Sequence, residues 1–295
     1  MSVHEPLLEP SFLRRLDALR LVSRRPVSSP ASGSRRSARR GTSTEFADFR
    51  EYVPGDDLRA VDWNAYGRLE KLFLKLFVDE EDLALHLLLD LSGSMAFGAP
   101  TAKSLYAKQL AAALGYVALA RADRVCALNL GGTMPGPPSF LRGMAGVGTL
   151  FQSLQSMPVQ GQTDAARALG RYAAQAKMPG TAVVFSDFYD DGWARGLQAL
   201  HARRFSVVLV HILTPFEMRP NALGNVRLTD AETMLSQETT LSPDAVAQYD
   251  ARLQVFLGSL QTLARRYAMD YVRLETDLSL EKAIRQLSGP GGVLR

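Results

Sequence analysis

The chain has 295 residues, of which 46% are hydrophobic and 22% charged, and this ordinary globular composition suits one large domain or a domain with a substantial extension. A single cysteine, Cys126, excludes an intrachain disulfide and favours a reducing compartment, and its apolar neighbours predict a core position. No segment reaches the roughly 18–20 apolar residues of a membrane span, and no apolar run follows the amino-terminal charges. The sequence therefore predicts a cytoplasmic protein without a membrane helix or a secretory signal.

The net charge of +4 is unevenly distributed. Residues 1–44 carry nine arginines and three acidic residues, so this leader has a charge of +6 and the remainder about −2. The arginines are Arg14, Arg15, Arg20, Arg24, Arg25, Arg35, Arg36, Arg39 and Arg40. Residues 1–22 have the spacing of a short amphipathic helix. Residues 23–44 predict a flexible basic loop, either solvated or in contact with nucleic acid, anionic lipid or an acidic partner; the lack of interleaved aromatics favours the solvated loop.

Residues 45–80 are richer in aromatic and charged residues, and we expect them to form a separate amino-terminal lobe. Pro54-Gly55 predicts a turn, because proline presets φ and glycine accepts the second turn position. The apolar residues over 72–78 predict a strand. The distinctive residues of this lobe are, in chain order, Phe49, Arg50, Glu51, Tyr52, Gly55, Asp56, Asp57, Arg59, Asp62 and Trp63.

From residue 81 to residue 295, strand and helix patterns alternate, which predicts an α/β domain with a doubly wound, mostly parallel sheet. The strand-like runs are 83–90, 124–130, 181–186, 205–213 and 270–274. The helical patterns are 101–121, 163–177, 193–203, 243–268 and 279–288. The Gly- and Pro-rich residues 131–148 predict a loop, and β-prone patches within 216–242 predict an inserted hairpin.

Oxygen-bearing side chains stand where several of these elements begin or end. Asp90, Ser92 and Ser94 follow the first strand of the domain, Thr163 opens a helix, and Asp187 follows another strand. Because ligands gather at the carboxyl ends of the strands in an open parallel sheet, we expect these side chains to meet there. Two carboxylates and three hydroxyls are hard donors, which suit Mg²⁺ or, as alternatives, Mn²⁺ or Ca²⁺, with water completing the shell.

Each of these residues also has a simpler explanation. Thr163 is a common type of helix N-cap, Asp187 can begin a turn, and Ser92 and Ser94 can bond their own loop. However, these residues occur together in the expected chain order, position and spacing. This combination favours one metal site over a separate local role for each residue.

Two sets of residues resemble known families. Asp-x-Ser-x-Ser-Met from Asp90, Gly-x-Thr-Asp from Gly161 and Ser-Asp from Ser186 resemble the metal-ion-dependent adhesion site of von Willebrand factor A domains. The residues from Phe49 to Trp63 resemble the bacterial family known as domain of unknown function fifty-eight, whose genes often accompany MoxR-type AAA+ ATPases. The resemblance covers about residues 40–290.

This resemblance implies a fold, a site and a function. The fold is von Willebrand factor A-like with an amino-terminal β-containing extension. Asp90, Ser92 and Ser94 become metal ligands, Thr163 binds directly or through water, and Asp187 binds through water. The implied function is a non-catalytic, Mg²⁺-dependent protein-binding module that accepts a carboxylate from a partner or client. A MoxR-type AAA+ ATPase is the implied partner, with this chain as its adaptor in protein assembly or maturation.

One short segment departs from the family pattern. The usual residues near 214–217 are Asp-Pro-x-Glu, whereas this chain has Thr214-Pro215-Phe216-Glu217. The position is not one of the metal ligands that the resemblance implies, so the departure leaves the predicted site intact.

Two other functions stay open at this point: a metal-dependent hydrolase that uses the same cluster, and a basic-loop binder of nucleic acid or a membrane surface. No Gly-x-Ser-x-Gly surrounds the serines, the four histidines lack His-Glu-x-x-His spacing, and no Gly-x-x-x-x-Gly-Lys-Ser/Thr is present. His86 and His211 lie in strand-like runs, which predicts core positions. We therefore expect no catalytic residues and no nucleic-acid partner.

Overall fold

The computed structural model of the protein describes residues 6–17, 46–53, 61–69, 71–77, 83–98, 101–131, 138–220, 224–229, 235–288 and 293–294. The predicted basic loop over 23–44 and residues 54–60 of the amino-terminal motif lie outside the described residues. Contacts divide the chain into two units, a large one formed by 1–25 and 83–295 and a small one formed by 26–82.

The described residues form nine α-helices and ten strands. In chain order they are α1 (Pro10–Leu16), β1 (Phe46–Glu51), α2 (Trp63–Leu69), β2 (Phe73–Phe77), β3 (Ala84–Leu89), α3 (Lys103–Ala120), β4 (Arg124–Asn129), β5 (Leu141–Arg142), α4 (Val147–Ser156), α5 (Ala165–Gln175), β6 (Thr181–Ser186), α6 (Trp193–Ala202), β7 (Ser206–Leu213), α7 (Pro215–Met218), β8 (Gly224–Thr229), β9 (Ser236–Leu241), α8 (Pro243–Arg266), β10 (Asp270–Glu275) and α9 (Leu280–Leu287). None of these helices combines the length and apolar character needed to cross a membrane.

A six-stranded sheet forms the centre of the large unit, with the order β10-β7-β6-β3-β4-β5. Its strands run parallel to their neighbours except for β5, which pairs antiparallel with β4. The chain leaves β3 toward β4 on one side and later returns to β6 on the other side. Such a reversal opens a crevice at the carboxyl ends of the central strands. The predicted α/β class with a mostly parallel sheet is confirmed.

Side chains of β3 enter two cores on opposite faces of this sheet. Leu85, Leu87 and Leu89 pack in a core that includes residues of α1, α3, α4 and α9. Leu88 packs in a second core with residues of α5, α6 and α8. Successive residues of a strand point to opposite faces, so helices on both faces require a continuous apolar run. This is why β3 contains three consecutive leucines.

The carboxyl part of the large unit contains a separate antiparallel pair. β8 pairs with β9 from Gly224↔Leu241 to Thr229↔Ser236, within the region where the sequence predicted a hairpin. An exposed ion pair joins the two strands, with Arg227 Nη2 at 2.8 Å from Glu238 Oε1. Such surface pairs contribute little to stability, so the cross-strand hydrogen bonds define this pair.

The small unit contains the antiparallel pair β1 and β2. Asp62 begins α2, since its Oδ1 accepts hydrogen bonds from Asn64 N at 2.9 Å and Ala65 N at 3.2 Å. Trp63 and Tyr66 of this helix are exposed and touch edge to face. The sequence predicted β2 but neither β1 nor α2. Charged residues interrupt the apolar pattern of β1, whereas α2 has only seven residues, one of them glycine, and is too short to give a clear helical period.

Two expectations for the large unit were wrong in detail. The region 131–148, predicted as a loop, contains β5 and the start of α4. A two-residue strand is too short to give a pattern, and α4 is fixed by the packing of Leu150 and Leu154 in the core with α3. The helix predicted over 1–22 is limited to Pro10–Leu16 within the described residues.

Three buried polar side chains, His86, Cys126 and Tyr172, contact one another in the core on the second face of the sheet. His86 Nδ1 hydrogen-bonds the Tyr172 hydroxyl, and Cys126 Sγ lies 3.5 Å from both groups. Burial raises the pKa of the Cys126 thiol to about 12 and lowers the pKa of His86 to about 4. The predicted core positions of Cys126 and His86 are confirmed.

The buried histidine predicts acid sensitivity of the fold. Its pKa is lowered in the folded state, so the unfolded chain binds more protons below its ordinary pKa of 6.5, and stability falls as the pH drops toward about 4. We expect His86 to reduce the free energy of unfolding by about 2 kcal/mol between pH 7 and pH 5.

Urea denaturation of the natural protein and of His86→Asn at both pH values measures this effect. The variant lacks the titrating ring, so its loss of stability over the same interval should be smaller by that amount. Data at pH 8 give the packing cost of the substitution alone. An equal pH dependence for the two proteins would contradict the assignment.

Candidate functional site

The ends of β3 and β6 place two polar side chains beside each other. The strands pair up to Leu89 and Phe185, and Asp90 N extends the pairing by donating to Phe185 O at 2.9 Å. Asp90 and Ser186 therefore emerge together at the carboxyl edge of the sheet. Ser186 Oγ donates to Asp90 Oδ2 at 2.6 Å.

Backbone hydrogen bonds attach the loop before α5 to the loop that follows β3. Gln160 N donates to Leu91 O, and Gly93 N donates to Gly161 O, both at 2.9 Å. Gly161 has a φ of 80°, which glycine adopts without the steric cost of a side chain. This attachment carries Thr163 to the end of β3.

The carboxylate of Asp90 is 2% exposed and is surrounded by neutral donors. Thr163 Oγ1 donates to Oδ1 at 2.5 Å, and Ser92 N donates to the same oxygen at 3.1 Å. Burial raises the pKa of Asp90 above its usual value, and the charge of Asp187 raises it further. The hydrogen bonds from Ser186, Thr163 and Ser92 oppose this change without cancelling it.

Ser92 and Ser94 present two further hydroxyls. Their Oγ atoms lie 3.1 Å apart, with Ser92 buried and Ser94 partly accessible. A single 3₁₀ turn over Gly93–Ala96 follows Ser92 and fixes the spacing of the pair. A hydroxyl that donates its hydrogen keeps lone pairs on the oxygen, so these groups and Thr163 retain acceptors for a cation.

A buried ion-paired group lies beside this cluster. Lys103, at the start of α3, is 1% exposed, and its Nζ lies 2.8 Å from Asp187 Oδ2 and 2.6 Å from Glu217 Oε1. The other oxygen of Glu217 accepts from Thr214 N at 2.7 Å and completes a capping box at the start of α7. The Lys103 ammonium also lies 5.4 Å from the centre of the Tyr189 ring.

The structure brings four of the five sequence-predicted residues into one hydrogen-bonded cluster: Asp90, Ser92, Ser94 and Thr163. Asp187 lies close enough to affect Asp90 electrostatically, but its Oδ2 binds Lys103. We refer to the four clustered residues as the oxygen cluster.

The simpler explanation for Thr163 does not apply. Asp164, not Thr163, is the N-cap of α5, and its carboxylate accepts from Arg167 N at 2.9 Å. The hydroxyl of Thr163 is therefore available to Asp90. The prediction of Thr163 as a metal ligand stays a prediction.

Sequence reasoning missed Lys103 and Glu217 and treated Ser186 only as part of a strand-ending pair. Nothing local to the sequence marks Lys103, whose acidic partners lie 84 and 114 positions further along the chain. For Ser186 a signal existed in the sequence, because it is the last residue of a predicted strand, as Asp90 is. In the structure the backbone N of Phe188 donates to Ser186 Oγ, and a hydrogen bond across two residues of this kind is typical of a turn.

The donors of the oxygen cluster fit a hard divalent cation, since they are one carboxylate and three hydroxyls. Within the described ranges, no group of three or more His, Cys, Asp or Glu side chains could hold a metal ion. A cation at this edge would therefore depend on the hydroxyl oxygens and on water in addition to the carboxylate of Asp90.

Fold and site together define a mixed α/β protein with a mostly parallel sheet and an oxygen cluster at its carboxyl edge. The chain belongs to the family described as "Protein of unknown function DUF58", which matches residues 48–254. It is 27% identical over 254 residues to uncharacterized proteins of Mycobacterium bovis and Mycobacterium tuberculosis. The alignment covers 82% of this chain and 79% of each relative. Membership of the family indicated by the residues from Phe49 to Trp63 is thereby confirmed.

Two solved structures are similar to parts of this chain. BatB from Bacteroides thetaiotaomicron is 17% identical with a TM-score of 0.45, over 70% of this chain and 97% of BatB. An aerotolerance-related membrane protein from Bacteroides fragilis is 17% identical with a TM-score of 0.42, over 69% of this chain and 97% of that protein. Similarity at this level says nothing about function.

Removal of the Ser186 hydroxyl should destabilise the fold. Ser186→Ala leaves Asp90 Oδ2 without its donor and Phe188 N without its acceptor, both in buried surroundings. We expect a loss of about 1–3 kcal/mol in the free energy of unfolding, measured by urea denaturation.

Ser156→Ala is the matched control, because the exposed Ser156 hydroxyl donates only to the carbonyl of Ser153 within its own helix. This control should stay within about 0.5 kcal/mol of the natural protein. If both variants lost the same free energy of unfolding, the hydrogen bond from Ser186 to Asp90 would not stabilise the fold as we expect.

Proposed function

We propose that this protein is a non-catalytic, divalent-metal-dependent protein-binding module. The oxygen cluster would hold Mg²⁺, with Mn²⁺ and Ca²⁺ as alternatives. A carboxylate from another protein would occupy a coordination position that this chain leaves open. The proposal extends to the fold, which we take to be von Willebrand factor A-like.

The buried carboxylate of Asp90 is the observation that carries this proposal. A buried anion is costly unless a cation or several strong donors compensate it. The donors that the structure gives Asp90 are neutral, namely the Thr163 and Ser186 hydroxyls and the Ser92 amide. Asp187, by contrast, has the Lys103 ammonium. Of these two carboxylates, Asp90 therefore has the stronger electrostatic need for a cation.

The composition of the cluster supports an open coordination position. Mg²⁺ requires octahedral geometry with six oxygens and commonly keeps several waters. The oxygen cluster offers one carboxylate and three hydroxyls, so water or another protein has to complete the shell. A carboxylate is the hard, anionic oxygen donor that such an ion accepts most readily.

Exposed aromatic side chains around the site support a protein as the ligand. Phe97, Tyr189 and Phe216 are 46%, 45% and 39% exposed, and we call them the aromatic rim. Phe97 follows the turn that carries Ser94, and the rings of Phe97 and Phe216 touch edge to face. Exposed apolar groups of this kind are typical of interaction surfaces, where aromatic residues are enriched.

The surroundings of the cluster give less support to the alternative of a hydrolase. Such an enzyme needs a general base within reach of the bound water. Asp187 is bound to Lys103, and His211 is fully buried with its pKa lowered to about 3 by burial. We therefore assign the metal to binding.

A MoxR-type AAA+ ATPase is the partner that we propose, with this protein as its adaptor in the assembly or maturation of other proteins. This partner is what the resemblance of the residues from Phe49 to Trp63 implies. An acidic side chain next to an apolar one on the ATPase or its client would match the metal and the aromatic rim together.

Metal binding should require Asp90. We expect Mn²⁺ to bind the natural protein in isothermal titration calorimetry and to bind Asp90→Asn at least about tenfold more weakly, because the amide has no charge. Asp164→Asn is the matched control, since Asp164 caps α5 and Asn is an equally good N-cap. Undiminished binding by Asp90→Asn would place the metal elsewhere.

Partner binding should require the metal. We expect a MoxR-type ATPase from the same organism to be retained on the immobilised protein in Mg²⁺ and released by EDTA, and Asp90→Asn should not retain it. Retention that survives both changes would show that the interaction does not use this site. Metal-dependent turnover of p-nitrophenyl phosphate, lost in Asp90→Asn, would establish the hydrolase instead.

A further inference from the structure

Lys103 is an unusual residue at the edge of the proposed metal site. A lysine that is 1% exposed is rare unless its charge is paired, and here the ammonium lies between Asp187 and Glu217. Burial of such a group costs desolvation free energy, which ion pairing does not always recover. Stability alone is therefore a poor explanation for a lysine at this position.

The charges around Lys103 indicate what it does. In their ionised forms the carboxylates of Asp90, Asp187 and Glu217 carry three negative charges, and the Lys103 ammonium carries one positive charge. A divalent cation would bring this group of charges to neutrality. Without the lysine, the same cation would leave one negative charge, which repels an incoming carboxylate.

We infer that Lys103 is a built-in counter-cation that makes the metal-loaded site selective for anionic ligands. It weakens binding of the metal, because it neutralises part of the negative charge and repels the cation. It strengthens binding of a carboxylate to the metal-loaded site, because the three carboxylates, Lys103 and the metal then have no net negative charge to repel that ligand. The inference rests on the proposed function, and it adds a specificity-determining residue outside the oxygen cluster.

The contacts around Lys103 hold its ammonium in one place, which an electrostatic role requires. Glu217 is itself fixed by Thr214, whose backbone N and hydroxyl both donate to Glu217 Oε2. Tyr249 of α8 donates from its hydroxyl to Glu217 O at 2.7 Å. The positive charge thus stands between the carboxylate of Asp187, which directly follows β6, and that of Glu217 in α7, the short helix after β7. Because β6 is the neighbour of β3, this ion pair lies next to the strand end that carries Asp90.

Water-proton relaxation with Mn²⁺ measures both affinities in one experiment. The metal titration gives the affinity for Mn²⁺. Acetate then displaces water from the bound ion, and acetamide, its neutral counterpart, corrects for effects other than charge. For Lys103→Met we expect about tenfold tighter Mn²⁺ binding and about tenfold weaker acetate binding.

Two further variants test whether the charge of Lys103 causes these changes in affinity. Lys108→Met is the matched control, because Lys108 is a second buried lysine of α3 whose ammonium donates to Met157 O at 2.7 Å. It should leave both affinities unchanged. The double variant Lys103→Met with Glu217→Gln removes one charge of each sign, so it should restore acetate binding to within about threefold of the natural protein.

The outcomes separate the two proposals. If the natural protein does not bind Mn²⁺, both the proposed function and the role of Lys103 are wrong. If it binds Mn²⁺ and acetate but Lys103→Met weakens both, Lys103 only supports the fold and the inference is overturned. Thermal melts identify misfolded variants, and Lys103→Gln replaces Lys103→Met if the latter does not fold. Failure of the double variant to restore acetate binding also overturns the inference.

Discussion

The carboxylate of Asp90 imposes the constraint on which the rest of the site depends. It lies at the end of a strand that is buried on both faces, so water contributes little to its solvation. Its donors come from three separate parts of the chain: the Ser92 amide, the Thr163 hydroxyl and the Ser186 hydroxyl. These donors meet only because β6 lies beside β3 and because backbone hydrogen bonds attach the loop before α5 to the loop after β3. The hydrogen bonds to Asp90 therefore depend on the strand order of the sheet.

Negative charge at this edge is divided between two environments. Asp90 has neutral donors, whereas Asp187 and Glu217 share the Lys103 ammonium. An ammonium partner compensates the charge of a buried carboxylate more fully than neutral hydrogen-bond donors do. Two of the three carboxylates are thus held in a fixed ion pair, and under the proposed function the third, Asp90, would bind the cation. Under the proposed function, this arrangement keeps the site from being either fully neutralised by the protein or too negative to accept an acidic ligand.

The sequence predicted the parts of this arrangement that depend on local pattern. The apolar run of β3 and the alternation of strands and helices predicted the sheet. The position of Asp90 after a strand and of Thr163 before a helix indicated that the two would meet at the same edge. Patterns of this kind carry no information on pairing between distant residues, which is why Lys103 was missed. One partner follows β6 and the other lies in α7 after β7, and only the strand order brings them to the start of α3. The strands β1 and β5 were missed for a related reason, since pairing with a neighbour rather than periodicity defines them.

The oxygen cluster and the aromatic rim would contribute to partner binding in different ways. Apolar contact with Phe97, Tyr189 and Phe216 depends on buried area and is nearly independent of metal and salt. Coordination of a carboxylate depends on the metal and is strongly directional. Each contribution alone supports only weak association, because immobilising the partner costs several kcal/mol of free energy that the contacts must first offset. Under the proposed function, their combination would give an interaction that requires both an acidic and an apolar group at fixed spacing and that would be lost when the metal leaves. That requirement suits an adaptor, which has to recognise its partner specifically and release it.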